Sequence, residues 1–272
     1  MTGFECKQAL REGKTLFGTL IVSHSPKWLK YIGKSGLDFV FIDTEHVALG
    51  AANLAAMCTM YAAKKLAPIV RILSPDPFLA SQALDAGAHG ILAPYVESAQ
   101  QVRQMAGAVH YKPVKGKLLE QALNHPESLN ENVKRQLADS NKNNLLFVNI
   151  ESLAGIEALD DILSVEGLDG IVIGPNDLSY SLGDPNNYKS ELFEKTVIEI
   201  LKKARSKGIA AGIHFMGGID RQVEWAKKTG MNLLFHSGDM YLFLDALRRD
   251  FSIFSNELGI KQNKDGVIDT DI

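Results

Sequence analysis

The sequence predicts a single (β/α)8 TIM barrel, and three observations carry that prediction. Eight short runs rich in β-branched and aromatic residues, at 16–22, 39–43, 68–73, 90–94, 145–150, 170–173, 210–214 and 233–236, alternate with helical patterns. Most of these runs are continuously apolar, as parallel strands covered on both faces are. Several helical patterns stop at a glycine, Gly36, Gly87, Gly208 or Gly230 among them, which suits a left-handed cap at a helix C-terminus.

Taken in order, the helical segments are 26–34, 51–65, 77–86, 99–109, 153–163, 192–207, 219–228 and 240–249. Strict strand–helix alternation over eight units fits a closed barrel. An open doubly wound sheet is the competing architecture; no Gly-x-Gly-x-x-Gly follows the first strand, and eight units are many for one open sheet. The barrel is expected over residues 1–258. A long connection, about 111–144, interrupts the rhythm, with a helical piece expected near 126–139; connections of that length at a barrel are often a lid or an interface. The 259–272 tail is polar and expected to fray.

Composition narrows the function. The 272 residues are 46% hydrophobic and 22% charged, ordinary values for a globular chain. A net charge of −3 leaves no electrostatic footprint for nucleic acid or for an anionic membrane surface. Cys6 and Cys58 stand far apart in no metal spacing, which argues against a disulfide framework and suits a reducing compartment. With no apolar signal core at the start and no run near 18 apolar residues, a soluble cytoplasmic protein is expected.

Barrel enzymes work where strands end and the following loops begin. Strand ends here carry Asp43, Thr44, Glu45 and His46 after the second run, Arg71 after the third, Asn149 and Glu151 after the fifth, and Gly174, Pro175, Asn176 and Asp177 after the sixth; His214 and His236 close the seventh and eighth. One such charge alone reads equally well as a rim salt bridge. Several together do not, because neighbouring carboxylates repel unless a cation lies between them. Glu151 and Asp177 end consecutive strands, and two oxygen ligands leave most of an octahedral shell to water and substrate. That suits Mg²⁺ or Mn²⁺ first, with Co²⁺ also admissible, whereas zinc favours nitrogen and sulfur. Arg71 offers a planar fork for a small carboxylate. The backbone at Gly174, Pro175 and Asn176 precedes a short helix and offers N–H groups to the same carboxylate. His46 is the natural proton-transfer group. No lysine ends a strand, which speaks against a Schiff-base mechanism.

At these residues the sequence resembles the HpcH/HpaI family of metal-dependent class II pyruvate aldolases, barrels of the phosphoenolpyruvate/pyruvate type. The resemblance runs from about Phe17 to Asp250 and is carried by GLDFVFIDTEH at 36–46, PIVR at 68–71, ALDAGAHGILAP at 83–94, and Glu151 followed by GLDGIVIGPNDLS at 167–179. It implies that Glu151 and Asp177 hold the metal, that Arg71 binds the oxo acid, that His46 is the base with Asp85 orienting it, and that Gly174, Pro175, Asn176 and Asp177 cradle the carboxylate. Asp85 enters only by this resemblance. Family members also assemble as hexamers, trimers of dimers with exchanged C-terminal helices, which would place residues 240–258 on a neighbouring copy.

The sequence departs from the family pattern on the acceptor side. Residues 113–120 read PVKGKLLE, without the usual arginine; Asn149 stands where glutamine is common; His214 and His236 occupy positions expected to be apolar. The expected activity is a carbon–carbon lyase that forms the enolate of pyruvate or a related 2-oxo acid and joins it to, or releases it from, an aldehyde. The same enolate chemistry with another electrophile is the alternative: oxaloacetate condensing with an acyl-CoA, or oxaloacetate decarboxylation. A non-catalytic 2-oxo acid binding protein is the more distant one.

Overall fold

The computed structural model describes residues 1–260; the polar tail from 261 onward lies outside the described residues. Eight parallel strands close into a barrel in sequence order: β1 (Leu16–Leu20), β2 (Phe39–Asp43), β3 (Ala67–Arg71), β4 (Gly90–Ala93), β5 (Leu145–Ile150), β6 (Gly170–Ile173), β7 (Ala210–Phe215) and β8 (Leu233–Gly238). β1 pairs with β8 to complete the ring. The expected barrel is the observed one, and the open sheet is excluded.

The strand alternation sorts side chains into two apolar clusters. Phe39, Phe41, Ile69, Leu92, Leu145, Phe147, Val172, Ala210, Leu233 and Phe235 fill the barrel interior. Val40, Ile42, Val70, Ile91, Leu146, Val148, Ile171 and Ile213 face outward against the helices. Each large side chain so buried contributes about 1.5–3 kcal/mol.

A helix that the strand–helix rhythm does not announce, α1 (Gly3–Arg11), opens the chain. Thr2 caps it, its side chain accepting from Glu5 N–H while Glu5 reaches back to the Thr2 amide, a reciprocal capping box. Cys6, Ala9 and Leu10, on one helical face, join the interior cluster and close the N-terminal end of the barrel.

The remaining helices are α2 (Pro26–Ile32), α3 (Ala51–Ala63), α4 (Pro77–Asp85), α5 (Ala99–His110), α6 (Gly116–Asn124), α7 (Glu131–Ser140), α8 (Leu153–Glu157), α9 (Leu159–Ile162), α10 (Pro175–Ser181), α11 (Glu191–Ser206), α12 (Ile219–Thr229) and α13 (Asp239–Leu258). The four cap glycines read from the sequence all take positive φ. The expected single helix over 153–163 breaks at Ala158 into α8 and α9. The expected 240–249 helix runs on to Leu258, because nothing breaks it before Gly259, which caps it at φ +63.

The long connection is helical rather than open. α6, a 3-10 turn at Pro126–Ser128 and α7 pack around Ala122, Leu129 and Leu137. It leaves the end of α5 and enters the start of β5, so it lies at the N-terminal end of the barrel. Within its own chain it is no lid over the C-terminal mouth. α13 buries only Asp239, while Met240, Phe243, Phe251, Ile253, Phe254 and Leu258 stand exposed. Among the described residues no helix is long and apolar enough to cross a membrane.

Candidate active site

The C-terminal mouth of the barrel collects the polar strand ends. Phe39, Phe41 and Asp43 alternate inward on β2, as Ala67, Ile69 and Arg71 do on β3, and register pairs Asp43 directly with Arg71. Arg71 Nε donates to Asp43 Oδ1 at 2.8 Å and Nη2 donates to Oδ2 at 2.5 Å. This bidentate fork is the strong geometry for an arginine–carboxylate pair. Arg71 Nε also lies 3.1 Å from Glu45 Oε2, and the guanidinium sits 5.5 Å from the centre of the Phe41 ring. Burial pushes the Asp43 carboxyl up, but the hydrogen bonds and charge of Arg71 outweigh it and hold the group below the ordinary carboxylate range.

Across the mouth, Glu151 follows β5 and is 3% exposed. Its Oε1 accepts from the Tyr95 amide at 2.7 Å and its Oε2 from Asn149 Nδ2 at 2.9 Å. Tyr95 adopts φ +51, a left-handed conformation uncommon for a non-glycine residue; the donated amide bond belongs to that turn. Burial, and then the charge of Asp177, push the Glu151 carboxyl up to about 7. Glu45 is raised as well, by burial first, with Asp43 and Asp177 adding to it against Arg71 and His46. Gly174 permits this crowding, since a Cβ there would meet Glu151 Oε2 at 1.9 Å.

Asp177 stands in the first turn of α10, which begins at Pro175. Proline removes one amide, so the unpartnered N–H groups at that end belong to Asn176 and Asp177. The two residues are exposed at the rim. The donor set fits a hard divalent cation. It offers a buried carboxylate pressed by a second one, with both of its oxygens fixed by neighbours. The Oδ1 of Asn149, beside it, is also buried without a partner. Among the described residues no group of three or more His, Cys, Asp or Glu side chains is arranged to hold a metal. Two protein ligands, with the rest of the shell left to water and substrate, is the usual condition of Mg²⁺.

His46 follows on the same loop, half exposed, its Nε2 3.6 Å from Glu45 Oε2. The carboxylate beside it is therefore Glu45. Asp85 ends α4, the helix that returns the chain from the mouth to the start of β4, so it lies at the opposite end of the barrel, where it pairs with Lys112. One chain does not bring Asp85 to His46. Arg71, Glu151, Asp177, Gly174, Pro175, Asn176 and His46 do gather at one mouth.

Sequence reasoning left Asp43 and Glu45 without a role, although alternation from Phe39 already turns Asp43 inward beside Arg71. The Tyr95 amide had no sequence signal, since it depends on backbone conformation. His214 points inward from β7 and packs edge-on against Phe41 at 5.1 Å, with Nε2 3.0 Å from the Ser237 carbonyl. His236 points outward, its Nδ1 3.0 Å from Gln222 Oε1; Gln222 donates to the Phe215 carbonyl, so His236 ties β8 to α12 and β7.

Comparison with known proteins agrees with this geometry. The model of the HpcH/HpaI aldolase/citrate lyase family matches residues 17–233. The chain is 30% identical to the hydroxypyruvate/pyruvate aldolase of Roseovarius nubinhibens, over 89% of this chain and 93% of that one. It is also 30% identical to the 2-keto-3-deoxy-L-rhamnonate aldolase of Salmonella gallinarum, over 95% and 96%. Among solved structures, citrate synthase SbnG superposes with a TM-score of 0.78 at 28% identity, covering 94% of this chain and 98% of that one. The chain belongs to the HpcH/HpaI aldolase/citrate lyase family, and it is an aldolase-type carbon–carbon lyase.

Proposed function

We propose that this family member removes a proton from C3 of pyruvate or a related 2-oxo acid and joins the resulting enolate to an aldehyde, or runs the reverse cleavage, with a divalent ion held by Glu151 and Asp177. The observation that supports this most is the crowding of Glu151, Asp177 and Glu45 around a mouth whose one fixed cation is Arg71. Mg²⁺ or Mn²⁺ suits the oxygen donors. When bound, the ion supplies Lewis-acid polarisation of the keto oxygen. Arg71, clamped by Asp43, presents its remaining N–H groups to the developing oxyanion without reorganising. The Asn176 and Asp177 amides bind the carboxylate of the oxo acid. His46 takes the C3 proton.

Proton NMR in D2O tests this directly. The pyruvate methyl group should exchange for deuterium with Mg²⁺ or Mn²⁺ present and stop exchanging with EDTA. Absence of exchange in protein that holds metal would remove pyruvate as the substrate. The likeness to a citrate synthase supports a second reading, in which the same machinery condenses oxaloacetate with an acyl thioester; release of free thiol from acyl-CoA with oxaloacetate would identify it.

We also propose that the exposed apolar face of α13 packs on further copies of the chain in a homo-oligomer, a hexamer by family resemblance. Asp85 would then reach His46 from a neighbouring copy, since the two lie at opposite ends of one barrel. Mixed oligomers of inactive His46→Ala and inactive Asp85→Ala chains should regain activity. A monomeric mass by light scattering would end this proposal.

A further inference from the structure

His214 is unexplained by the chemistry above. It replaces an apolar residue expected at this strand end, and it points inward, into the top layer of the barrel, beside the Arg71–Asp43 pair. The interior beneath it is filled by Phe41, Phe235 and their neighbours. Yet His214 is only partly buried. An inward side chain above a filled core meets solvent through the mouth alone, so part of this ring forms the floor of the site.

The proton on the ring is fixed by its partner. Nε2 lies 3.0 Å from the Ser237 carbonyl; a carbonyl oxygen only accepts, so Nε2 carries the hydrogen and Nδ1 a lone pair. Among the described residues Nδ1 meets no protein donor. Burial, with Arg71 close by, pushes the imidazole down to about 4, so it stays neutral near pH 7 and does not compete with Arg71 for anions. A neutral lone-pair nitrogen on the floor of a site leaves one kind of ligand group to meet it, a hydrogen-bond donor.

Resting on the oxo-acid reading of the mouth, we propose that His214 Nδ1 accepts a hydrogen bond from a hydroxyl of the substrate, making the site selective for substrates with a hydroxyl beside the reacting carbons. Two positions share that chemistry: the C3 hydroxyl of a 3-hydroxy-2-oxo acid and the C4 hydroxyl of a 4-hydroxy-2-oxo acid. A polar acceptor left unmet penalises the analogue that lacks the hydroxyl, which is how such groups discriminate.

The test uses the intact protein with Mg²⁺ and histidine labelled with ¹⁵N. Hydroxypyruvate is compared with pyruvate, and 4-hydroxy-2-oxopentanoate with 2-oxopentanoate. The Nδ1 resonance should have the shift of an unprotonated nitrogen and move with the hydroxylated member of one pair but not with its plain analogue; the pair that moves it identifies the hydroxyl. This reading needs no turnover, so it is separate from the exchange experiment, whose failure would count against the enolate chemistry alone. In kinetics, His214→Leu should lower the kcat/KM ratio of hydroxylated to plain substrate about tenfold. His214→Asn, whose amide oxygen can stand in for Nδ1, should restore most of it. A ratio unchanged in His214→Leu, or an Nδ1 signal unmoved by both hydroxylated ligands, overturns the assignment and leaves His214 as a brace between β7 and β8.

Discussion

At the N-terminal end of the barrel, Cys6, Ala9 and Leu10 close the interior against Leu16, Phe39, Ile69 and Leu233. At the C-terminal end the same ring of strands delivers Asp43, Arg71, Glu151 and His214 into a mouth that nothing in the chain covers. The first end is dry and satisfied. The second holds like charges close together and leaves polar atoms unmet, Asn149 Oδ1 among them. One scaffold thus carries stability at one end and reactivity at the other, which makes the two ends separable by mutation.

The largest effect should come from the mouth. Asp177→Ala should abolish metal binding, followed by calorimetric titration with Mn²⁺, and lower turnover by roughly 10³, about 4 kcal/mol of transition-state stabilisation. Its melting temperature should not fall, because relief of Glu151 offsets what is lost. Normal metal binding in this variant would remove Asp177 as a ligand. Arg71→Ala blurs the division between the ends. It should keep metal, lose oxo-acid binding, and destabilise the fold by about 3–5 kcal/mol in urea titration, since Asp43 is left buried without its counter-ion.

Leu10→Ala sharpens the comparison from the other side. It should cost about 3 kcal/mol by chemical denaturation while kcat of the folded enzyme stays at the wild-type value. His214 sets a pH dependence of stability. Its folded value of about 4 lies below the ordinary 6.5, so the unfolded chain binds the extra proton between those values. Stability is then complete above about pH 6.5 and falls by at most about 3 kcal/mol as pH drops through 4; His214→Leu should flatten that part of the profile. The smallest effect is Thr2→Ala, about 1 kcal/mol for the lost cap of α1, read from the thermal midpoint.

Much of this was legible because barrel strands announce themselves by composition, and strand ends then fall where the chemistry must be. Glu151, Asp177 and Arg71 follow from that rule alone. What stayed hidden depends on contacts outside the strand rhythm. The α1 plug is one element before the repeat begins, although Thr2 and Glu5 at capping-box spacing and the Cys6, Ala9, Leu10 face mark it. The clamp on Arg71 needed the β2–β3 register, and the hold on Glu151 needed a left-handed turn at Tyr95 that no residue type signals. Asp85 shows the limit of carrying a role by motif: the motif gives the residue, while the direction of α4 places it at the far end of its own barrel.

The pairing of Asp43 with Arg71 has a bearing on assembly of the barrel itself. A slip of one residue between β2 and β3 would turn Ile42 and Val70 inward and drive both charges into the apolar shell beneath the helices. A slip of this kind reverses every side chain on the strand, and here it would also strand two ions in a layer with nothing to solvate them. The fork that serves the substrate therefore acts during folding as a proofreading mark, admitting one alignment of the two strands and rejecting its neighbours.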